Sequence, residues 1–183
     1  MAIYIAMLRG INLGGHKKIK MDALRQTFEK LGFEQVQTYI QSGNVVFQAG
    51  KTSAAALSKR IEEKIVEDFG FSASVICRSV DELGAVVARN PLLKQRGIDP
   101  EKLHVTFLSE PPALPAWKQL EALIAAPDQA RFLGKEIYFY LPNGVSQSIL
   151  MKRPVDRLLG VITTTRNWRT VNRLREMCKG EGS

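Results

Sequence analysis

The chain has few of the residues that build metal centres or disulfide frameworks. Its 183 residues include two cysteines, Cys77 and Cys178, and two histidines, His16 and His104. None of these four forms a pair at zinc-ligand spacing, and two cysteines do not make a disulfide framework. We therefore expect no structural zinc, no obligatory disulfide and no cofactor. This cysteine usage also favours a reducing, cytoplasmic location.

Long apolar runs are lacking as well. The longest early run, residues 2–8, has seven residues and no basic segment before it. A helix needs about 20 apolar residues to cross a bilayer, and a secretory signal begins with a basic region. We expect no membrane partner. A hydrophobic content of 45% with 24% charged residues is typical of a globular domain.

Acidic residues are outnumbered by basic ones. The chain has 26 Lys and Arg against 18 Asp and Glu, a net charge of +8, and a basic surface attracts anions. The excess falls into three separate clusters, at 17–20, 152–153 and 166–175, without a run of five like charges. This scatter is typical of an ordinary solvated basic surface. As a partner, it favours an anionic small molecule over a nucleic acid, which is the alternative. Composition leaves the oligomeric state open.

Apolar spacing predicts a split βαβ unit in residues 1–78. Apolar residues at helical spacing predict helices at 21–31 and 57–69. Short apolar runs, typical of strands, stand at 3–8, 36–40, 45–47 and 74–77. The helices end at Gly32-Phe33 and Gly70-Phe71. The segment 41–44 predicts a hairpin with Ser42-Gly43 at its tip. The order βαββαβ is that of a ferredoxin-like subdomain.

Residues 79–183 predict a second subdomain of similar order. Ser79 and Glu82 form a capping box for a helix, and residues 103–108 alternate as a strand. A helix through 117–123, a hairpin at 130–133 and 137–141, a short helix from Pro154 to Gly160 and a helix from about Arg166 complete the pattern. The predicted fold class is α+β, with ferredoxin-like subdomains at 1–78 and 79–183.

Three motifs together resemble a known bacterial family. They are Leu-Arg-Gly-Ile-Asn-Leu-Gly-Gly at 8–15, Thr-Tyr-Ile-Gln-Ser-Gly-Asn-Val-Val-Phe at 38–47 and Thr-Thr-Arg-Asn-Trp at 164–168. Their order and spacing are similar to those of the family named domain of unknown function 1697, as is the strand at 103–108. The resemblance implies an α+β fold of two ferredoxin-like halves, and it implies no reaction.

The first motif is a candidate anion site. Its glycines allow close approach of the backbone to a ligand, and the loop amides together with basic side chains can cradle an anion. It lacks the endings of the Walker and dinucleotide-binding loops. The alternative is a tight turn with Arg9 paired to a carboxylate. The candidate ligand-binding residues here are Arg9, Asn12, Gly14 and Gly15.

The other two motifs add polar candidates. Ser42 and Asn44 offer neutral hydrogen-bonding groups, although their residue types are also those of an ordinary turn. Arg166 and Asn167 stand at the predicted start of the last helix, where free N–H groups attract anions. The alternative is an arginine-rich solvated face. We expect the first and third strands to run parallel, which would place Arg9 and Asn44 at opposite ends of the sheet.

Three functions fit these observations. The first is a cytoplasmic protein that binds a polar or anionic small ligand through the loop and the helix start. The second is weak electrostatic binding of nucleic acid, with Tyr39 and Phe47 on an exposed sheet face. The third is a transferase or hydrolase acting on a phosphate- or carboxylate-bearing substrate, although Ser42 has no evident base to activate it.

Overall fold

The computed structural model describes residues 1–180. Within them, the strands are β1 (Ala2–Leu8), β2 (Glu34–Tyr39), β3 (Asn44–Ala49), β4 (Val75–Ser79), β5 (Leu103–Leu108), β6 (Gln129–Leu133), β7 (Glu136–Tyr140) and β8 (Thr163–Asn167). The α-helices are α1 (Met21–Lys30), α2 (Ala54–Phe69), α3 (Val80–Ala88), α4 (Leu114–Ala122), α5 (Ile149–Lys152), α6 (Val155–Leu159) and α7 (Trp168–Cys178). No helix among these residues is both long and apolar enough to cross a membrane.

The chain forms two compact units. Residues 1–85 and 173–180 make the first unit, and residues 86–172 make the second. The first holds a sheet of order β2-β3-β1-β4 and the second a sheet of order β6-β7-β5-β8. Both orders are those of a ferredoxin-like sheet, which confirms the predicted fold class. The boundary at residue 78 stays a prediction.

The pairing of β1 with β3 corrects one expectation. These strands are antiparallel, with Met7 opposite Asn44 and Ala2 opposite Ala49. In the order β2-β3-β1-β4, each βα connection returns the chain to the same end of the sheet, so neighbouring strands alternate in direction. The expectation of parallel first and third strands is wrong. The end of β1 and the start of β3 therefore lie at the same edge.

The first unit packs α1 and α2 on one face of its sheet. Helix α1 ends in the predicted glycine geometry, because Gly32 has a φ of 81° and Phe33 packs edge-on against Phe28 at 6.0 Å. Phe33 also stacks on Phe47 at 4.7 Å. Gly70 ends α2 with a φ of 76°. The predicted hairpin is confirmed by the pairing of β2 with β3.

The second unit repeats this plan with a different core. Its core joins Trp117 and Leu120 of α4 to Ile137 and Phe139 of β7. Helix α6 is the predicted short helix, and Gly160 ends it with a φ of 69°. The order β1-α1-β2-β3-α2-β4-α3 recurs from β5 to α7, with the two short helices α5 and α6 in the place of α2, and the two halves have the same sheet order without sequence identity.

Two arginines occupy equivalent positions in the two sheets. Arg78 lies opposite Ile5 on the fourth strand of the first sheet, and Arg166 lies opposite Val105 on the fourth strand of the second. Each is buried, and each guanidinium donates to the carbonyl of the residue before it, at 2.9 and 3.0 Å. The two side chains occupy corresponding positions of the repeated fold.

Candidate functional site

Three chain segments meet at one edge of the first sheet. The amide of Leu8 donates to the carbonyl of Gly43 at 2.9 Å, and the amide of Arg9 donates to the carbonyl of Ser74 at 2.9 Å. The end of β1 is thus bonded to the residues that immediately precede β3 and β4. Arg9 is exposed and opens the segment of residues 9–20, which we call the β1–α1 loop.

Asn12 fastens the β1–α1 loop. Its Nδ2 donates to the carbonyls of Ile19 at 3.0 Å and Gln41 at 2.7 Å, and its Oδ1 accepts the amide of Ile19 at 2.8 Å. Both amide hydrogens of the side chain are therefore used within the protein. Asn12, predicted as a ligand-binding residue, is placed by the structure as the link between the loop and the β2–β3 hairpin.

The tip of the β1–α1 loop is a two-glycine turn. The amide of His16 donates to the carbonyl of Leu13 at 3.0 Å across Gly14 and Gly15, whose φ angles are 56° and 81°. Left-handed conformations at two successive positions favour glycine strongly. The amides of Gly14 and Gly15 donate to no protein acceptor among residues 1–180. Both glycines are exposed.

Basic residues lie on both sides of this turn in the sequence. The β1–α1 loop carries Arg9, Lys17, Lys18 and Lys20 and no carboxylate. The Cε atom of Lys18 lies 4.0 Å from the position that a Cβ on Gly15 would occupy. Lys17 Nζ donates to the carbonyl of Ser72 at 2.7 Å, which ties the loop to the β4 side of the edge. Two free amides with a cationic side chain close to one of them can attract an anion.

Ser42 and Asn44 shape the hairpin beside the loop. Asn44 is fully buried, and its Nδ2 donates to the carbonyl of Tyr39 at 3.0 Å and to the Ser42 hydroxyl at 2.9 Å. Ser42 itself is exposed. The structure therefore brings both residues to the same edge as Arg9. Both amide hydrogens of Asn44 are used in these two hydrogen bonds, which stabilise the turn.

The sequence missed one residue at this edge. Gly43 has a φ of 83°, and an added Cβ would lie 2.7 Å from Ile11 Cδ1 and 2.9 Å from Leu8 Cβ. Such distances leave no room for a side chain, so Gly43 lets the loop pack against the hairpin. Glycine in a turn motif signals a positive φ, but the close approach of Ile11 appears only in three dimensions.

Arg166 lies in a strand, which corrects the predicted helix start. Residues 163–167 form β8 because they pair with β5, and α7 begins only at Trp168. The Arg166 side chain is buried and donates to the Thr164 hydroxyl at 2.8 Å. Burial lowers the pKa of its guanidinium to about 10. Arg166 is part of the interior of the sheet rather than a surface group at a helix mouth.

Asn167 does cap α7. Its Oδ1 accepts the amide of Thr170 at 2.8 Å, as an N-cap residue does. Ser79 has the same role at the start of α3, where its hydroxyl accepts the amide of Glu82 and the Glu82 carboxylate accepts the amide of Ser79. The predicted capping box is confirmed.

Loss of the Asn167 cap gives a small, local effect on stability. We expect Asn167→Ala to lower the free energy of unfolding by about 1 kcal/mol, because the Thr170 amide loses its acceptor. That loss corresponds to a decrease in Tm of about 2–4 °C. Asn167→Ser keeps an acceptor and is the matched control in thermal denaturation. Equal melting of the Ala and Ser variants would contradict the capping role.

The proposed aromatic nucleic-acid face is not formed as expected. Phe47 is fully buried in the core of the first unit, where it packs edge-on against Phe28 at 5.2 Å. Tyr39 is half-buried. The interpretation of Phe47 as an exposed stacking residue is therefore wrong. The Phe47 side chain lies on the face of β3 that the helices cover, whereas the sequence-based expectation placed it on the exposed face.

Both cysteines are buried and free. Burial raises the pKa of the Cys77 thiol to about 12 and that of Cys178 to about 11. Thiols with raised pKa values are mostly protonated near neutral pH and react slowly. The described residues contain no group of three or more His, Cys, Asp and Glu arranged to hold a metal ion.

Comparison with known proteins agrees with an α+β protein of two ferredoxin-like subdomains. A structure titled as that of the conserved bacterial protein SP0830 from Streptococcus pneumoniae matches with a TM-score of 0.77 and 25% sequence identity. The match covers 97% of this chain and 98% of that one. No curated protein matches the chain.

A protein-family model matches most of the chain. The model described as "Protein of unknown function (DUF1697)" matches residues 1–138, and the chain belongs to this family. The matched range contains the β1–α1 loop and the β2–β3 hairpin, the two motifs that meet at the edge of the first sheet.

Proposed function

We propose that the protein binds an anionic small molecule at the glycine turn of the β1–α1 loop. The observation that carries this proposal is the pair of free amides at Gly14 and Gly15, with the Lys18 side chain near Gly15. Peptide N–H groups and an ammonium together suit a phosphate or a carboxylate, because each oxygen of such a group accepts charge-assisted hydrogen bonds. The ligand class is therefore a phosphate- or carboxylate-bearing metabolite.

The surroundings support an anion rather than a cation. The three segments that meet at this edge, residues 9–20, 40–44 and 70–75, contain no Asp or Glu. Arg9 and Lys20 are exposed in the same loop and add positive charge around the turn. Because the loop is held by Asn12 and by the Lys17 contact to Ser72, its backbone is ordered before a ligand arrives. Preorganisation of this kind favours binding.

The test compares ligands that differ only in the anion. Thermal shift and calorimetric titration with a sugar phosphate, a nucleoside monophosphate and a dicarboxylate are matched by the free sugar, the free nucleoside and a neutral diamide. We expect stabilisation by at least one anion and none by its uncharged counterpart, because a ligand stabilises only the state that it binds. A short oligonucleotide tests the nucleic-acid alternative, whose affinity would fall steeply with salt.

Variants locate the site. We expect Lys18→Gln to weaken anion binding by about tenfold, the effect of losing one charge-assisted hydrogen bond of about 1.5 kcal/mol. Lys59→Gln is the matched control, because Lys59 is an exposed lysine of α2 in the same unit. Equal affinities of the two variants would place the anion elsewhere. Failure of every anion to bind would contradict the proposal itself.

A further inference from the structure

A cleft in the second unit carries an acid and a base that do not pair. The cleft has a volume of about 580 Å³ and is lined by residues from three places, namely the segment after α4, the loop after β7, and α5. Asp128 lines it from the first of these and Lys152 from the last. This volume lies in the range of small-molecule sites.

Asp128 and Lys152 line the same cleft, but their charges do not form an ion pair. Among residues 1–180, neither side chain forms an ion pair or a hydrogen bond, so their charged atoms are more than 4.0 Å apart. Burial raises the pKa of the Asp128 carboxyl, and the charge of Lys152 lowers it in part. A half-buried carboxylate loses some of its hydrogen bonds to water, and here no protein donor replaces them. A ligand that brings a donor to Asp128 would supply the missing hydrogen bond.

The rest of the lining offers both polar and apolar contacts. The side-chain amides of Asn143 and Gln147 make no hydrogen bond within the part of the chain that the structure describes, so their donors and acceptors remain available. Ile124 and Ile149 add an apolar surface. Ile149 is nearly buried, at 9% exposure, and belongs to the core of the unit, which makes this wall firm.

From this arrangement we infer that the cleft binds a small zwitterion, a free α-amino acid with an apolar side chain. Its ammonium would donate to the Asp128 carboxylate and its carboxylate would accept from the Lys152 ammonium. Its side chain would lie against Ile124 and Ile149. A separated acid and base select a ligand that carries both charges, because a ligand with one charge leaves the opposite group unpaired. This site is independent of the anion site in the first unit.

The probe is L-leucine, added to the full-length protein. We expect saturable binding in calorimetry, together with chemical-shift changes at the amides of residues 123–126, 128 and 149–152 in NMR spectra. The matched ligands are 3-methylbutylamine, which lacks the carboxylate, and 4-methylpentanoate, which lacks the ammonium. The affinity of each should be lower than that of leucine by roughly tenfold or more, because each loses one charge-assisted contact.

Variants assign the contacts. Asp128→Asn and Lys152→Gln should each weaken leucine binding roughly tenfold or more. Glu110→Gln and Lys118→Gln are the matched controls, because both residues are exposed in the same unit and lie outside the lining of the cleft. Since burial already disfavours the ionised Asp128, Asp128→Asn should melt no lower than the parent protein at neutral pH. A loss of binding in this variant would therefore not reflect unfolding.

Three results would overturn the inference. One is the absence of saturable binding up to about 10 mM leucine, a range in which a site with two charge-assisted bonds is occupied. Another is equal affinity for leucine and 3-methylbutylamine, which would mean that Lys152 makes no contact. The last is unchanged affinity in Asp128→Asn and Lys152→Gln, which would place leucine elsewhere on the protein.

Discussion

Replacing Gly43 with alanine is expected to lower the free energy of unfolding by about 2–5 kcal/mol. An L-residue in the left-handed conformation costs about 1–2 kcal/mol, and Gly43 has a φ of 83°. Forcing a methyl group into a packed site costs about 1–3 kcal/mol more, and here it would meet Ile11 Cδ1 at 2.7 Å and Leu8 Cβ at 2.9 Å. The decrease in Tm should be about 5–15 °C, measured by thermal denaturation.

Gly50 supplies the control for this substitution. It lies just after β3 and is exposed, its φ is outside the left-handed region, and nothing lies within 4 Å of an added Cβ. Gly50→Ala should therefore leave Tm unchanged or raise it slightly, because alanine reduces the entropy of the unfolded chain. Equal Tm values for the two variants would contradict the conclusion that the β1–α1 loop packs too closely at Gly43 to admit a side chain.

Replacing Asn12 with aspartate is expected to release the β1–α1 loop. Aspartate tolerates the left-handed φ of 56° and keeps the acceptor for the Ile19 amide, so the backbone geometry is preserved. It loses both donors and places a carboxylate oxygen against the carbonyls of Ile19 and Gln41. Two lost hydrogen bonds of about 1 kcal/mol each, with added repulsion, give an expected loss of about 2–4 kcal/mol.

Limited proteolysis reports this change directly. The β1–α1 loop holds four sites for trypsin, at Arg9, Lys17, Lys18 and Lys20. Cleavage in the loop should be faster in Asn12→Asp than in the parent protein at temperatures below Tm. Asn143→Asp is the control, since Asn143 is exposed and makes no hydrogen bond with residues 1–180. Cleavage of the Asn12 variant at the parent rate would show that the side chain does not hold the loop.

The local elements could be predicted because their signals are short in sequence. The left-handed Gly32 and Gly70, the capping box of Ser79 and Glu82 and the turn at residues 41–44 each involve atoms within about four residues. The order βαββαβ followed from counting such elements. The face on which Phe47 lies could not be predicted, because it depends on which helices cover the sheet.

The candidate sites show the same limit. The glycines and basic residues of the β1–α1 loop are evident in the sequence, and the structure places them together at one edge. The cleft at Asp128 has no motif, because the groups that line it come from segments about 20 residues apart. A carboxylate becomes a candidate only when its surroundings remove water and supply no donor.

The helices, the turns, the excess of basic residues and the α+β class follow from the residues alone, since they depend on propensity, periodicity and composition. Strand direction, register and burial depend on contacts between segments that are distant in sequence. Arg166 is an example. A short polar segment, Thr-Thr-Thr-Arg-Asn, has no apolar alternation, and it becomes β8 because β5 offers an unpaired edge whose hydrogen bonds it satisfies. The same pairing buries the arginine that local reasoning assigned to the surface.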